Sequence, residues 1–346
     1  MEAAHLDALL VSHLPNVFYL TGFSGSNGVV IVSAARAELF TDSRYAIQAK
    51  LEVSGARTRI VRGSLLAAAA SALSSMRRRR VGFEACRVSV AQREALAKAS
   101  GKRIRWTPWD GRIEAARMLK DAVEIATMRE AADIACSAWK EILPLVRPGV
   151  PESDLAAEIE YRMRRKGADG PAFDTIVASG ARSAWPHGRA SRKPIEKNEL
   201  VVFDLGAILR GYSSDLTRTV FVGRAPAEIR RWYAAVREAQ QSARSALRPG
   251  INASGVDAAA RRILQRAGLG AKFIHSTGHG LGLEVHESPR LGRGEKAILR
   301  EGMVVTLEPG VYIEGRGGIR IEDDALVTQT GAEFITDATR ELIEIE

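Results

Sequence analysis

RPGVPESDLAAEIEYRMRRKGA (147–168) and RPGINASGVDAAARRILQRAGL (248–269) are one pattern written twice. Each opens on Arg-Pro-Gly, passes a small polar cap, runs through an amphipathic helical stretch and stops at a glycine, Gly167 or Gly268. The offset is 101 residues at both ends. An apolar strand follows each copy, ELVVFDLG (199–206) and GMVVTLEPG (302–310). Two copies are too few for a solenoid, which stacks several units to bury its faces. They predict two related half-domains packed face to face, with a site between them.

The chain around this repeat has 346 residues, which predicts two domains and a core large enough to need no staples. Its 46% hydrophobic and 26% charged residues are those of an ordinary globular protein. Residues 1–112 read as a compact α/β unit. GVVIVSAARAELFTD (28–42) predicts a hairpin, RIVRG and RRVGFEA further strands, and LLAAAASALSSM and SVAQREALAKAS helices. YLTGFSGSNG (19–28) is glycine-rich, but no Lys-Ser/Thr follows it, so it predicts a turn and not a phosphate cradle. Pro108 and Gly111 mark a boundary, and the pattern from Ile113 to Leu143 predicts one long helix entering a second domain, 113–346.

Composition excludes several classes. The two cysteines, Cys86 and Cys136, rule out a disulfide scaffold and a cysteine–zinc site, and fit a reducing cytoplasm. MEAAHLDALLVSHLPN lacks the basic lead-in of a secretory signal, and the longest apolar run (65–73) is too short to span a bilayer. The expectation is therefore a cytoplasmic protein without membrane contact. A net charge of +9 invites a nucleic-acid reading, but the densest basic run, Arg77 to Arg80, has no interleaved aromatics to stack bases. It reads as a solvated helix end leading into a strand, and no nucleic-acid partner is expected.

The strand after each repeat copy carries acids. In VVFDLGAILRGYSSDLTRTVFVG, a hairpin centred between Leu209 and Arg210 would set Asp204 opposite Asp215. In VVTLEPGVYIEGRGGIRIEDD, a turn centred at Gly315 sets Glu308 opposite Glu322. Cross-strand Cβ atoms lie roughly 5 Å apart, so like charges placed there repel. Acids on hairpins are usually solvated, but these four sit within apolar strands at corresponding places of a duplicated unit. Such a set is unstable without a cation.

Three of the six histidines fall within HSTGHGLGLEVHE (275–287), among Gly278, Gly280 and Gly282. The glycines argue against a helical pairing of His275 with His279, because each would cost a helix roughly 1 kcal/mol. The stretch is a strand or loop whose backbone something approaches closely. His279 supplies a fifth ligand. One imidazole and four carboxylates form a hard donor set suited to manganese, cobalt, iron or zinc, and exceed what one ion needs.

At these residues the chain resembles the pita-bread-fold metallopeptidases, in the aminopeptidase P and prolidase branch. SGARSAWPHG, FDLG, SSDLTRT, TGHGLG, HESP, LEPG and GIRIED occur in family order, and NVFYLTGFSGS with LFTDSRY resembles the creatinase-type N-terminal domain. The resemblance covers nearly the whole chain. It implies an α+β fold, with a pita-bread catalytic domain of two pseudo-symmetric halves preceded by a smaller α/β domain. It also implies two divalent ions per chain, manganese first, on Asp204, Asp215, His279, Glu308 and Glu322, with Asp215 and Glu322 the candidates to bridge or chelate both. His187 and His286 match the family's two non-ligand histidines, which bind substrate and tetrahedral intermediate. Arg320 matches an arginine that orients the nearby carboxylates. His275 matches no role and is read as structural, and His5 and His13 as surface residues.

The implied reaction is hydrolysis of the N-terminal Xaa-Pro bond of peptides with proline second. Glu308 carries the proton, His286 stabilises the oxyanion, and Trp185 walls the proline pocket. Arg290 would receive the carboxylate of a dipeptide, and the glycines of 278–282 would let the substrate backbone lie against the protein. The short chain and SGARSAWPHG lean toward an aminopeptidase P acting on longer peptides, with prolidase as the alternative. A methionine aminopeptidase and an inactive binding protein of the same fold are the more distant alternatives. By analogy a homodimer is expected.

Overall fold

The computed structural model describes residues 5–74 and 80–346. The chain folds as two compact units, Met1–Arg117 and Met118–Glu346. In the first, six strands form one sheet: β1 (Ala8–Val11), β2 (Gly28–Ser33), β3 (Ala37–Asp42), β4 (Ala56–Val61), β5 (Arg80–Phe83) and β6 (Arg105–Pro108). Their order is β4-β3-β2-β1-β5-β6. The predicted hairpin is β2–β3, antiparallel, while β3/β4, β1/β5 and β5/β6 run parallel. Helices α1 (Leu14–Thr21), α2 (Ala46–Glu52), α3 (Leu65–Ser74) and α4 (Val90–Ser100) connect them. Leu10, Ile31, Phe40, Leu73 and Leu96 fill the core against the sheet. Arg80 opens β5, whereas Arg77 to Arg79 lie outside the described residues. His5 is exposed as expected, but His13 is half-buried, because its N–H donates to the Glu84 carboxylate at the start of α1.

The single helix expected over 113–143 is two helices, α5 (Arg112–Arg117) and α6 (Ala122–Ile142). A capping box separates them. Asp121 accepts the N–H groups of Val123 and Glu124, and Glu124 accepts that of Asp121, so a new helix starts where the apolar pattern alone runs on.

The duplicated segments are helices α7 (Glu152–Arg165) and α9 (Ala253–Arg266), equivalent residue for residue at the 101 offset. A long helix precedes each, α6 before α7 and α8 (Ala227–Ala246) before α9. The likeness extends to single hydrogen bonds. Gly149 N–H donates to Ile195 and Gly250 N–H to Leu299, while Glu152 N–H donates to Lys193 and Ala253 N–H to Ala297. Gly167 and Gly268 both end their helices at positive φ, which glycine adopts without strain.

The strands of this unit are, in chain order, β7 (Gly170–Pro171), β8 (Ile176–Ser179), β9 (Glu199–Leu205), β10 (Ala207–Leu209), β11 (Tyr212–Ser213), β12 (Leu216–Val222), β13 (Gly278–Gly280), β14 (Glu287–Leu291), β15 (Val304–Leu307), β16 (Gly310–Ile313), β17 (Gly317–Arg320), β18 (Asp323–Val327), β19 (Ala332–Phe334) and β20 (Ile343–Ile345). The first half is built on β20-β12-β9-β8, extended by β11-β10-β7, and the second on β14-β13-β15-β18-β19 with the ribbon β16-β17. Period-two alternation sorts the faces. Val201, Phe203 and Leu205 of β9 pack with Trp139 of α6 and Ile159 of α7. Val305 and Leu307 of β15 pack with Val236 of α8 and Val256 of α9. The intervening residues, among them Asp204 and Thr306, point to the opposite faces, where the two halves meet. Among the described residues no helix is long and apolar enough to cross a membrane.

Gly278 and Gly280, on either side of His279, are required by the protein's own strands. β13 lies between β14 and β15. A Cβ on Gly278 would stand 1.9 Å from the Thr306 carbonyl oxygen, and one on Gly280 2.3 Å from that of Ser288. Both obstacles are backbone, so neither moves without breaking the sheet. Gly278→Ala should therefore destabilise the protein by about 1–3 kcal/mol or more in denaturant titration. Gly331→Ala, which meets no atom within 4 Å, should stay within about 0.5 kcal/mol of the parent. Equal midpoints for the two variants would remove the packing role.

Candidate metal centre

Two hairpins deliver the carboxylates. The first differs from its expected register: Thr217 pairs with Asp204, and Leu209 with Tyr212. The turn is therefore Arg210–Gly211, both at positive φ, which is the two-residue turn that strand twist favours. Moving the centre by one residue moves every partner by two, so Asp215 is diagonal to Asp204 but still on the same face. The second hairpin keeps the expected register. Leu307 pairs with Asp323 on one side and Gly310 with Arg320 on the other, leaving Glu308 and Glu322 opposite each other between the two ladders.

His279 comes from β13, beside β15. Its Nδ1 meets the Gly280 carbonyl at 3.0 Å, and the Nδ1–H tautomer donates there. Burial lowers its pKa to about 4, so the ring is neutral and Nε2 presents a lone pair to the acids. Nε2 lies 3.5 Å from Glu308 Oε1 and 3.9 Å from Asp215 Oδ2. One ligand atom each from Asp215, His279 and Glu322 lies within 4.8 Å of the other two, a spacing that a shared ion can span.

Arg320 ties the set together. Its Nη2 donates to Asp204 at 2.5 Å, Nε to Thr217 Oγ1 at 3.1 Å, and Nη1 to Tyr312 OH and the Pro186 carbonyl at 2.9 and 3.1 Å. Thr217 in turn donates to Glu322 at 2.5 Å. Even so, Oδ1 of both Asp204 and Asp215 is buried without a hydrogen-bond partner. Orphaned carboxylate oxygens converging with a neutral imidazole fit a hard divalent cation.

The remaining predicted residues lie around this cluster. The His286 ring packs edge-on against His279, with centroids 4.4 Å apart, and its side chain is exposed. His187 is exposed and close enough to His275 to act on it electrostatically. Trp185 is 57% exposed, with one face covered by the Arg182 guanidinium at 4.9 Å. Arg290 is exposed on β14. His275 has a satisfied ring, bonded at 2.8 Å both to Ser276 O and to Tyr312 OH, which agrees with a structural reading. It nevertheless stands at the site, 3.9 Å from Glu308.

Sequence reasoning missed Tyr312, Thr217 and Asp324. Thr217 was within reach, being two residues beyond Asp215 on the same strand face. Asp324 is fully buried; one of its oxygens accepts Asp215 N–H at 2.9 Å and the other has no hydrogen-bond partner.

The acids hold protons tightly. Burial, then the charge of neighbouring carboxylates, raises Asp215, Glu322 and Asp324 well above the usual range, and burial lifts Glu308 to about 7. A carboxyl whose folded pKa is raised favours folding at low pH and loses that contribution as pH climbs. His275 and His279, both lowered to about 4, act oppositely, but only below their ordinary value of 6.5. Above about pH 6.5 those two imidazoles no longer contribute, while the loss from the acids continues. Chelated protein should therefore melt at progressively lower temperature from pH 6.5 to about 8, and added Mn²⁺ should abolish the decline. A melting temperature independent of pH after chelation would remove the acid cluster as its cause.

Comparison with known proteins identifies the family. The model of metallopeptidase family M24 matches residues 126–329, and that of the creatinase/prolidase N-terminal domain residues 1–119. An Xaa-Pro dipeptidase of Pyrococcus horikoshii is 39% identical over 99% of this chain and 96% of its own. The solved Xaa-Pro dipeptidase from Bacillus anthracis superposes with a TM-score of 0.96 at 39% identity, covering 99% of this chain and 96% of the other. An X-Pro aminopeptidase from Thermotoga maritima gives 0.92 at 36% identity, covering 98% of both chains. With the pita-bread fold that the sequence predicts, its creatinase-type N-terminal unit and its cluster of buried acids, the chain belongs to metallopeptidase family M24 and is a metal-dependent hydrolase.

Proposed function

We propose that the protein is an Xaa-Pro dipeptidase in which Asp204, Asp215, His279, Glu308 and Glu322 would hold two divalent ions, manganese first. The observation that carries this reading is the convergence of those donors with unpartnered oxygens on Asp204 and Asp215. The dipeptidase reading replaces the sequence's lean toward aminopeptidase P. Relatives named Xaa-Pro dipeptidase match nearly the whole chain at 38–39% identity. Chain length does not separate the two activities, since the solved dipeptidase and the solved aminopeptidase are matched over 96% and 98% of their chains.

Bound divalent ions would supply a Lewis acid for the scissile carbonyl and bring the pKa of water toward neutrality. The chain's own groups do the rest. Glu308 accepts the proton of the attacking water and hands it to the proline nitrogen, which has no proton of its own in the tertiary amide. His286 donates to the developing oxyanion, and His187 to the substrate. Arg320 keeps Asp204 and, through Thr217, Glu322 in position. Arg290 receives the free carboxylate of the dipeptide, whose burial without a cation would be costly. Trp185 bounds the space for the substrate at the rim and does not line a buried pocket, given its exposure. The reading includes a homodimer formed through the N-terminal unit. There Ile47 and Leu51, four apart on α2, are 79% and 81% exposed and offer an apolar face.

Specificity constants test substrate length. With Mn²⁺, kcat/KM for an Xaa-Pro dipeptide should exceed that for Xaa-Pro-Xaa by about tenfold, and Arg290→Met should raise KM for the dipeptide most. A tripeptide preference would restore the aminopeptidase reading, and a preference for Met-Ala-Ser would end the proline reading.

Variants separate binding from chemistry. Asp204→Asn and Glu322→Gln should lower metal content and turnover together. His286→Ala should keep the metal and lose about tenfold or more in kcat. Full activity in a thoroughly chelated sample would refute the metal assignment.

A further inference from the structure

The internal duplication shows where the two halves diverge, and the divergence at the first residue of α7 is chemical. Glu152 and Ala253 occupy equivalent positions, and their N–H groups make equivalent bonds to Lys193 and Ala297. Ala253 makes the equivalent backbone bond without a polar side chain. The carboxylate at 152 is an addition, and it is fully buried.

Among the described residues, the hydrogen bonds of that carboxylate all go to one loop. Oε1 accepts Ser179 N–H at 2.7 Å and Ser179 Oγ–H at 2.8 Å. Oε2 accepts Ser191 Oγ–H at 2.7 Å, Ser191 N–H at 3.1 Å and Arg182 Nε at 3.1 Å. Ser179 and Ser191 are the two ends of the segment that carries Trp185 and His187, so one buried group closes the loop on itself. The loop's middle is held from the other side. Ser183 Oγ accepts Gly318 N–H at 2.9 Å, and the Pro186 carbonyl accepts Arg320 Nη1. His187 follows Pro186 directly, between these two sets of anchors.

We infer that Glu152 is the positioning residue for His187: it fixes the loop 179–191 at the height at which that histidine meets the substrate. The inference rests on the role proposed above for His187. It concerns no metal ligand, and Glu152 is held to act only through the loop. A carboxylate suits the task because all five groups facing it are donors; a carboxamide would set its own N–H₂ against one side of them.

The experiment is a double-mutant cycle on the Mn²⁺-loaded enzyme with an Xaa-Pro dipeptide. Metal content is measured alongside kcat and KM for E152Q, H187A, E152Q/H187A and the milder S191A, which removes one hydroxyl donor and leaves the carboxylate. E152Q and H187A should each lose about tenfold or more in kcat/KM at parental metal content. S191A should lose severalfold, and the double variant should be no worse than H187A alone. Multiplied losses in the double variant would mean Glu152 acts independently of His187 and would overturn the inference, as would parental activity in both E152Q and S191A beside an impaired H187A. H187A at the parental rate would instead refute the role of His187, and the positioning role with it. If E152Q fails to fold, S191A combined with H187A gives the same cycle.

Discussion

Arg320 touches, through one guanidinium, a carboxylate from the first half, a hydroxyl that reaches a carboxylate of the second, a phenol and the loop that carries His187. Around it stand acids that repel each other in a medium too dry to screen them. Apposed carboxylates of this kind persist only if every neighbour keeps them where a cation can answer them. The surrounding contacts serve that end. Gln240 from α8 donates to the carbonyls of Leu307 and Ile321, the residues just before Glu308 and Glu322. Behind them Asp323 gathers Arg218, Gln240, Thr336 and Arg340. The ligand strands are thereby gripped from the core side, and their acidic side chains are left to the face between the halves.

Duplication explains how such a centre can be built from ordinary parts. Each half pairs a long and a short helix over a sheet, and each sheet turns its other face to its twin. A carboxylate pair on each of those faces yields four acids that converge without any element unusual in itself. Function enters where the copies differ: the loop after β8 belongs to the first half, and Glu152 stands where the second half has Ala253. Comparable logic holds in the second half. Asp257 on α9 accepts the N–H and hydroxyl of Thr277, whose carbonyl accepts Glu308 N–H, while Ala156 occupies the equivalent place in the first copy.

Much of this was legible in the sequence because it depends on local periodicity. The 101-residue repeat pointed to two equivalent helices, and their bounds differ by that same offset. The acids were legible because charge inside an apolar strand is conspicuous, and the face on which Asp204 and Asp215 sit survived an error in register. Alternation fixes the face, while the turn alone fixes the partner, and Arg210–Gly211 was one residue from the expected centre.

Relations between distant segments were not legible, since no local pattern encodes which carbonyl a glycine will face. The glycines near His279 were visible in the sequence, but only the packed sheet identifies the Thr306 and Ser288 backbones as what approaches them. The same holds for Asp121, whose capping box splits a helix that periodicity had joined, and for Tyr312, Thr217 and Glu152. By itself the sequence determined the duplicated fold, the acids and the imidazole, because residue type and spacing carry that information. Which of them share a site, which oxygens lack partners and which buried carboxylate holds the histidine loop were decided only when burial removed water and left each polar group to find its partner inside the protein.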